Sequence, residues 1–123
     1  KLISTFSVDT GVLRTIGFSP NGKLILCSGD TGKVQVIQVA DGKVISDIQA
    51  HGNWALAAQF SPDEKKIASG DVDGELKLWD LKGNLIKQFP GHADAINEVA
   101  FSPDGKTLVS ASLDRTVKLW RVE

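Results

Sequence analysis

The hexapeptide FSPDGK, Phe101 to Lys106, decides the fold because it is the third occurrence of one pattern. Phe18-Ser19-Pro20 and Phe60-Ser61-Pro62 precede it, the three triplets are separated by 42 and 41 residues, and each one runs into a polar turn. A fixed period of this size is the signature of a repeat architecture, and it outweighs local propensity. The sequence therefore predicts three copies of one structural unit.

The repeat register extends from one end of the chain to the other. The same two separations relate two further sets of residues, which are Phe6, Ile48 and Phe89, and Ile37, Trp79 and Trp120. We therefore predict a single domain whose repeats span approximately residues 1–40, 41–81 and 82–123.

Each repeat contains four short segments rich in Val, Ile, Leu, Phe and Trp, separated by Gly, Pro, Asp and Asn turns. Examples are NLIKQF, INEVAF, TLVSAS and VKLW. These segments predict four β-strands in each repeat and no helix. Several of them, such as KVQVIQV, leave the second face only lightly polar, which favours small sheets that are covered on both sides.

Composition limits the classes of function. The chain of 123 residues is 41% hydrophobic and 24% charged, with a net charge of −1, so no basic surface predicts binding to nucleic acid or to a membrane. Its one cysteine, Cys27, excludes an intramolecular disulfide and is typical of a reducing compartment. We expect a cytoplasmic protein. Because the chain lacks methionine and begins with Lys1, we also expect it to be an excerpt.

The third repeat also holds the residue types of a hydrolytic triad, with His92 upstream of Ser110 and Asp114. A hydrolase would also need an exposed nucleophile, an oxyanion hole and a substrate cleft, and the sequence has no GxSxG elbow. Buried His, Ser and Asp side chains are each costly unless they are paired, and a closed network satisfies all three. We therefore predict a structural role for them and no catalytic residue.

The repeats resemble those of the WD-repeat β-propeller family over all 123 residues. The motifs that carry the resemblance in the third repeat are Gly91-His92, the Phe101 hexapeptide, Asp114 and Leu119-Trp120. The second repeat contains His51, Ser69, Asp73 and the dipeptide Trp79-Asp80. The resemblance implies an all-β propeller segment with three four-stranded blades in each chain.

The resemblance further implies that a buried, hydrogen-bonded tetrad holds each regular blade. The tetrads would be His51, Ser69, Asp73 and Trp79 in the second blade, and His92, Ser110, Asp114 and Trp120 in the third. The first blade departs at all four positions, which hold Asp9, Cys27, Thr31 and Ile37. We expect apolar packing more than a polar network to hold that blade, with Cys27 as a small buried residue.

Three blades predict an open arc, because the family's propellers contain at least about four. The segment KLISTF aligns with outermost strands, whereas the sequence ends with a third strand, VKLWRVE. An unpaired strand edge and an uncovered face favour association. Either the same polypeptide supplies further blades, or copies of this chain close the ring, each lending Lys1–Phe6 to a neighbour. We predict the second outcome, and favour a dimer of six blades over a trimer of nine.

The resemblance places partner binding around the mouth of the central channel. The predicted partner-binding residues are Arg14, Asp30, Trp54, Leu56, Val72, Asn97 and Leu113. Trp and Arg are the residue types that most often anchor protein interfaces. The alternative for Trp54 is that its indole packs over its own strand.

These observations predict a non-catalytic scaffold that presents a propeller face to a protein or peptide, with no cofactor and no metal. The alternative is a propeller-based enzyme or small-molecule sensor with its site in the central channel. We disfavour the alternative because the sequence shows no His, Cys, Asp or Glu cluster with ligand spacing.

Overall fold

The computed structural model describes residues 1–123 and contains eleven β-strands and no helix, which confirms the predicted all-β class. The strands are β1 Leu13–Phe18, β2 Leu24–Gly29, β3 Lys33–Gln38, β4 Val44–Gln49, β5 Ala55–Phe60, β6 Lys66–Asp71, β7 Leu76–Asp80, β8 Leu85–Phe89, β9 Ile96–Phe101, β10 Thr107–Ser112 and β11 Val117–Arg121. The structure has no helix of the length and apolarity needed to cross a membrane.

Consecutive strands pair antiparallel to form three separate sheets. The strand orders are β1-β2-β3-β4, β5-β6-β7-β8 and β9-β10-β11. The first strand of each sheet contacts the first strand of the next, since β1 meets β5 and β5 meets β9. This arrangement of meandering sheets around their first strands is that of propeller blades.

The first two sheets have the four strands predicted for each blade, and the third has three, as expected because its last predicted strand, VKLW, is a third strand. No segment of this chain pairs with the outer edge of β11. Residues 1–12 form no strand either, although KLISTF aligns with β4 and β8. Both β11 and this segment therefore lack a strand partner that their repeat equivalents in the other blades have.

The Phe-Ser-Pro motif closes the hairpin that joins the first two strands of each blade. In the second blade the Ser61 hydroxyl donates to Asp63 over 2.6 Å and accepts the Lys66 N–H over 3.0 Å, while Asp63 accepts the Lys65 N–H. The hydrogen bond from Ser61 lowers the pKa of Asp63. Ser19 and Ser102 close the other two hairpins in the same way.

The apolar core lies between the sheets. One cluster joins Leu26, Val34 and Val36 of the first sheet to Phe60, Ile67 and Trp79 of the second. A second cluster joins the second sheet to the third in the same manner. Full burial of one such side chain stabilises the fold by about 1.5–3 kcal/mol. Each sheet therefore depends on its neighbour for much of its stability.

The two outer faces of the array lack such a neighbour. Val117 and Leu119 of β11 are 71% and 72% exposed, whereas the equivalent residues of the second blade, Leu76 and Leu78, are 0% exposed. At the other end Ile16 of β1 is likewise 71% exposed. Repeat positions that form the core inside the chain thus form apolar surface at both ends.

The backbone at Arg115 has a positive φ of 72°, in the turn position that Gly74 occupies with a φ of 89°. A side chain in this conformation costs about 1–2 kcal/mol. We predict that Arg115→Gly raises the free energy of unfolding by ~1 kcal/mol, measured by urea denaturation. Arg115→Ala is the matched control, since it removes the charge but keeps the Cβ atom. Equal stabilisation by both variants would attribute the effect to charge and contradict the prediction.

Candidate functional site

The third blade contains one connected chain of four hydrogen-bonded side chains. Nδ1 of His92 lies 2.9 Å from Oδ2 of Asp114, and its Nε2 lies 2.6 Å from Oγ of Ser110. Nε1 of Trp120 donates to the same Ser110 oxygen over 2.9 Å. A neutral imidazole that carries its proton on Nδ1 satisfies every group, because Nδ1–H donates to Asp114 and the Ser110 hydroxyl donates to Nε2.

This network of side chains has the connectivity of a hydrolytic triad, but its serine is not accessible to a substrate. Ser110 is 1% exposed, and the indole N–H of Trp120 lies on its oxygen. The network joins the loop before β9 to β10, to the following turn and to β11. Its geometry therefore fits the fixing of strand register better than attack on a substrate.

Asp114 is held as an anion at the exposed end of the network. The Thr116 hydroxyl donates to it over 2.6 Å, and His92 donates to its other oxygen. These hydrogen bonds hold the pKa of Asp114 far below its usual range, the one from Thr116 being the larger cause.

The second blade has the same network with a different carboxylate. Nε2 of His51 lies 2.8 Å from Oγ of Ser69, which also accepts the Trp79 N–H over 2.9 Å. Nδ1 of His51 lies 3.1 Å from Asp71, so the prediction of Asp73 at this position is wrong. Asp73 is exposed, and its carboxylate accepts a hydrogen bond from the side-chain amide of residue 53 in the loop before β5.

Asp71 takes this role because it also closes the turn. Its Oδ1 accepts the backbone N–H groups of Asp73 and Glu75, each over 2.9 Å, which leaves Oδ2 directed at His51. The third blade has Ser112 at the equivalent position, and there the later aspartate is the partner. The stretch SGDVDGE contains two aspartates, and the repeat spacing pointed to the second one, which is not the partner of His51.

The second blade also contains a cluster that the sequence prediction missed. Ligand atoms of His51, Asp71 and Glu75 lie within 4.8 Å of one another, so the prediction of no such cluster is wrong. Burial lowers the pKa of His51 and raises that of Asp71. Burial opposes ionisation of Glu75, but the hydrogen bond that its carboxylate accepts from His51 lowers its pKa. These three residues could hold a metal ion, although the Nδ1–H of His51 already pairs with the carboxylates.

The first blade replaces the tetrad with a glutamine. Oε1 of Gln35 accepts the Asp9 backbone N–H over 3.1 Å, and its Nε2 donates to Asp47 over 3.2 Å. Lys33 lies 3.0 Å from Asp9. These contacts form a polar network in the first blade that the sequence analysis did not identify. Cys27 is buried beside this network, and burial raises the pKa of its thiol.

An aromatic and cationic pair joins the first two blades at the predicted interaction face. The Arg14 guanidinium lies 4.2 Å from the centre of the Trp54 ring. Nε of Arg14 donates to Asp30 over 2.6 Å, so both side chains hold the guanidinium in place. Trp54 remains 42% exposed. The structure thus brings these three predicted residues together.

The remaining predicted residues lie around the inner strands. Arg14, Leu56 and Asn97 line one cavity of about 210 Å³ between β1, β5 and β9. Leu113 is exposed, whereas Leu56 and Val72 are half-buried, so the apolar part of the face is smaller than predicted.

Known protein families match this chain repeat by repeat. A model of the family described as WD domain, G-beta repeat matches residues 1–38, 42–80 and 83–121. WD repeat-containing protein 1 of Gallus gallus is 39% identical over 74 residues, which are 59% of this chain and 12% of that protein. WD repeat and SOCS box-containing protein 1 of Danio rerio is 33% identical over 83 residues, which are 66% of this chain and 20% of that protein.

The chain thus spans a fifth or less of the length of these relatives. Among solved structures, the crystal structure of the computationally designed Ika4 protein superimposes with a TM-score of 0.80. The match covers 90% of this chain and 66% of that one at 24% identity, and it shows the fold alone.

The two aspartates of the second blade give a direct test of the network. Asp71→Ala leaves two turn N–H groups without an acceptor and leaves the buried Nδ1–H of His51 with only the longer contact to Glu75, so we expect it to lower the free energy of unfolding by about 2–4 kcal/mol. Asp73→Ala removes an exposed carboxylate and should cost about 0.5 kcal/mol or less. Chemical denaturation measures both values. A larger loss for Asp73→Ala would return that residue to the tetrad.

Proposed function

Because the chain belongs to the WD40 family of G-beta repeat proteins, we propose that it is a non-catalytic scaffold that presents a rigid propeller face to a protein or peptide partner. The face is the mouth of the channel between β1, β5 and β9, with the predicted residues around it. The relatives from Gallus gallus and Danio rerio carry the same repeat.

The exposed Trp54 is the observation that carries this proposal. Its backbone is fixed on both sides, since its N–H donates to Asn53 over 2.9 Å and its carbonyl accepts the Val72 N–H over 2.9 Å. Arg14 lies over one face of the indole. A large aromatic side chain that is already ordered loses little entropy on binding, and such residues dominate interface energetics.

The geometry favours a scaffold over a channel enzyme or sensor. The cavity between the inner strands is lined by none of His51, Asp71 and Glu75, the three residues that could hold a metal ion. Both histidines are engaged in the blade networks. We accordingly propose no cofactor, and the net charge of −1 favours neither nucleic acid nor a membrane as partner.

We further propose that copies of this chain associate, with a dimer of six blades favoured over a trimer of nine. The support is the apolar surface at both ends of the array, where β11 presents Val117 and Leu119 and β1 presents Ile16 and Phe18. Apolar surface of this kind favours association. A cytoplasmic location is proposed as well, because the lone Cys27 thiol is free and buried.

Trp54→Ala tests the interaction face. Peptides selected on the wild-type chain from a displayed random library should bind this variant about 30-fold more weakly or worse, as expected for an anchor worth about 2 kcal/mol. The melting temperature should change little, because the side chain is partly exposed and its loss opens no core cavity. Titration gives Kd, and thermal denaturation gives Tm.

Trp79→Phe is the matched control, because Trp79 is 7% exposed and donates to Ser69. It should lower Tm and leave peptide affinity nearly unchanged. A large fall in Tm for Trp54→Ala would place Trp54 in the core, and unchanged affinity would move the partner site elsewhere. Binding that weakens by about 10³–10⁵ between 50 and 200 mM salt would indicate nucleic acid instead.

Light scattering coupled to size exclusion tests the association. A dimer gives twice the chain mass of 13.2 kDa, and a trimer gives three times that mass. Leu119→Glu places a charge on the uncovered face and should shift the particle to the single-chain mass. Lys65→Glu, an exposed turn residue, is the matched control and should leave the mass unchanged. A single-chain mass for the wild type at all concentrations contradicts the proposal.

A further inference from the structure

We infer that the second blade binds a divalent transition-metal ion, with Zn²⁺ as the best fit, through Nδ1 of His51, Oδ2 of Asp71 and Oε1 of Glu75. The ion is structural and takes part in no reaction. This inference goes beyond the proposed scaffold and does not depend on it. The sequence pattern predicts no metal because one ligand lies in the loop before β5 and the other two lie around the turn between β6 and β7, and only folding brings them together.

The three ligand atoms already lie at the separations of atoms that share one ion. Nδ1 of His51 lies 3.1 Å from Oδ2 of Asp71 and 3.4 Å from Oε1 of Glu75, and all three atoms lie within 4.8 Å of one another. Zn²⁺ binds imidazole nitrogen and carboxylate oxygen over about 2.0–2.2 Å, which places neighbouring ligand atoms about 2.8–3.6 Å apart. The site therefore forms with little movement of its side chains.

The second blade has one carboxylate more than its histidine can satisfy. Asp71 and Glu75 both face the single Nδ1 of His51, and a neutral imidazole carries at most one proton on that atom. Nζ of Lys77 lies 3.7 Å from Glu75 but also donates to the Ala50 carbonyl, so it offsets only part of the negative charge. A divalent cation between the two carboxylates satisfies both of them.

The third blade shows that the repeat does not require this pair of carboxylates. The positions equivalent to Asp71 and Glu75 hold Ser112 and Thr116 there. The Thr116 hydroxyl donates to Asp114 over 2.6 Å, so that network already supplies its carboxylate with donors. The cluster of metal-binding groups is thus particular to the second blade, and we expect one ion in each chain.

Hydrogen bonds behind the ligands orient them for the ion. Oδ1 of Asp71 accepts the N–H groups of Asp73 and Glu75, each over 2.9 Å, which leaves Oδ2 for the metal. On the other side of the His51 ring, Nε2 lies 2.8 Å from Oγ of Ser69. Metal-binding histidines generally donate their second ring N–H to an oxygen in this position. Both buried ligands therefore have the outer partners that a metal site needs.

Zinc binding requires His51 to change its tautomer. Without the ion, Nδ1–H donates to the carboxylates and the Ser69 hydroxyl donates to Nε2. With the ion, Nδ1 is a ligand and the proton lies on Nε2, which donates to the Ser69 oxygen. That oxygen has two lone pairs, so it accepts this N–H together with the Trp79 N–H that lies 2.9 Å away. The imidazole is neutral in both states.

The exposure of the ligands explains how an ion enters the site. The side chains of His51 and Asp71 are 0% and 1% exposed, whereas that of Glu75 is 43% exposed. Zn²⁺ enters on the Glu75 side, and solvent takes the fourth tetrahedral position. Ca²⁺ and Mg²⁺ fit less well, because they prefer ligand sets made of oxygen alone. The bound ion ties the loop that carries Trp54 to the turn between β6 and β7.

Calorimetric titration with zinc chloride tests the site. The wild-type chain should bind one ion, and zinc at about 100 times its Kd should raise Tm by about 5 °C or more. Glu75→Gln keeps the size of the side chain but removes a ligand. Its zinc affinity should be about 100-fold lower or worse, since even the loss of an outer partner costs about 10–100-fold. Glu75 is partly exposed, so the variant should fold, and its Tm without zinc checks this.

Asp73→Asn is the matched control, because it removes a neighbouring exposed carboxylate that lies outside the site. Its zinc affinity should equal that of the wild type. Nitrogen NMR of the imidazole rings identifies the ligand, since zinc should move the ring proton of His51 from Nδ1 to Nε2 and leave the tautomer of His92 unchanged.

Three results would each overturn the inference. They are no zinc binding up to about 1 mM, equal affinity of the wild type and Glu75→Gln, and zinc binding that leaves the His51 tautomer unchanged. The last two would indicate an adventitious surface ion. None of these results bears on the Trp54 face or on the association of copies.

Discussion

The structure depends on the burial of each sheet against a neighbouring sheet. The second sheet shows the full arrangement, with Phe60 and Ile67 packed against the first blade and Leu76 and Leu78 packed towards the third. A sheet of three or four strands of five or six residues cannot bury both faces by itself. The repeat therefore specifies both the blade and the way in which blades stack. The outermost faces of the stack are left apolar.

Polar networks hold the loops in place against the stacked sheets. His51 and His92 lie in the loops that precede β5 and β9. Each is hydrogen-bonded to a serine of the second strand of its blade, β6 or β10. These bonds hold the loops against the sheet, and Trp54 follows His51 by three residues. The proposed interaction face is consequently rigid because of buried hydrogen bonds beneath it, and its residues do not have to order themselves when a partner binds.

The interaction face and the association of copies are linked through the channel mouth. Arg14 of the first blade and Asn97 of the third line the same cavity with Leu56 between them. If further blades from another copy complete the ring, the face around that mouth contains the same residues more than once. A repeated array of Trp54 anchors would then favour partners that contact two copies at once.

The sequence by itself determined the repeat, the all-β class and the hairpin turns, because a 41- to 42-residue period and the turn chemistry of Ser, Pro, Asp and Gly are local properties. It also identified the histidine, serine and tryptophan of each network. Only the tertiary structure decided that Asp71 rather than Asp73 meets His51, and that Gln35 supplies polar contacts in the first blade. Both choices depend on which side chain the folded turn directs inward, and residues two positions apart cannot be distinguished by spacing when each is an aspartate.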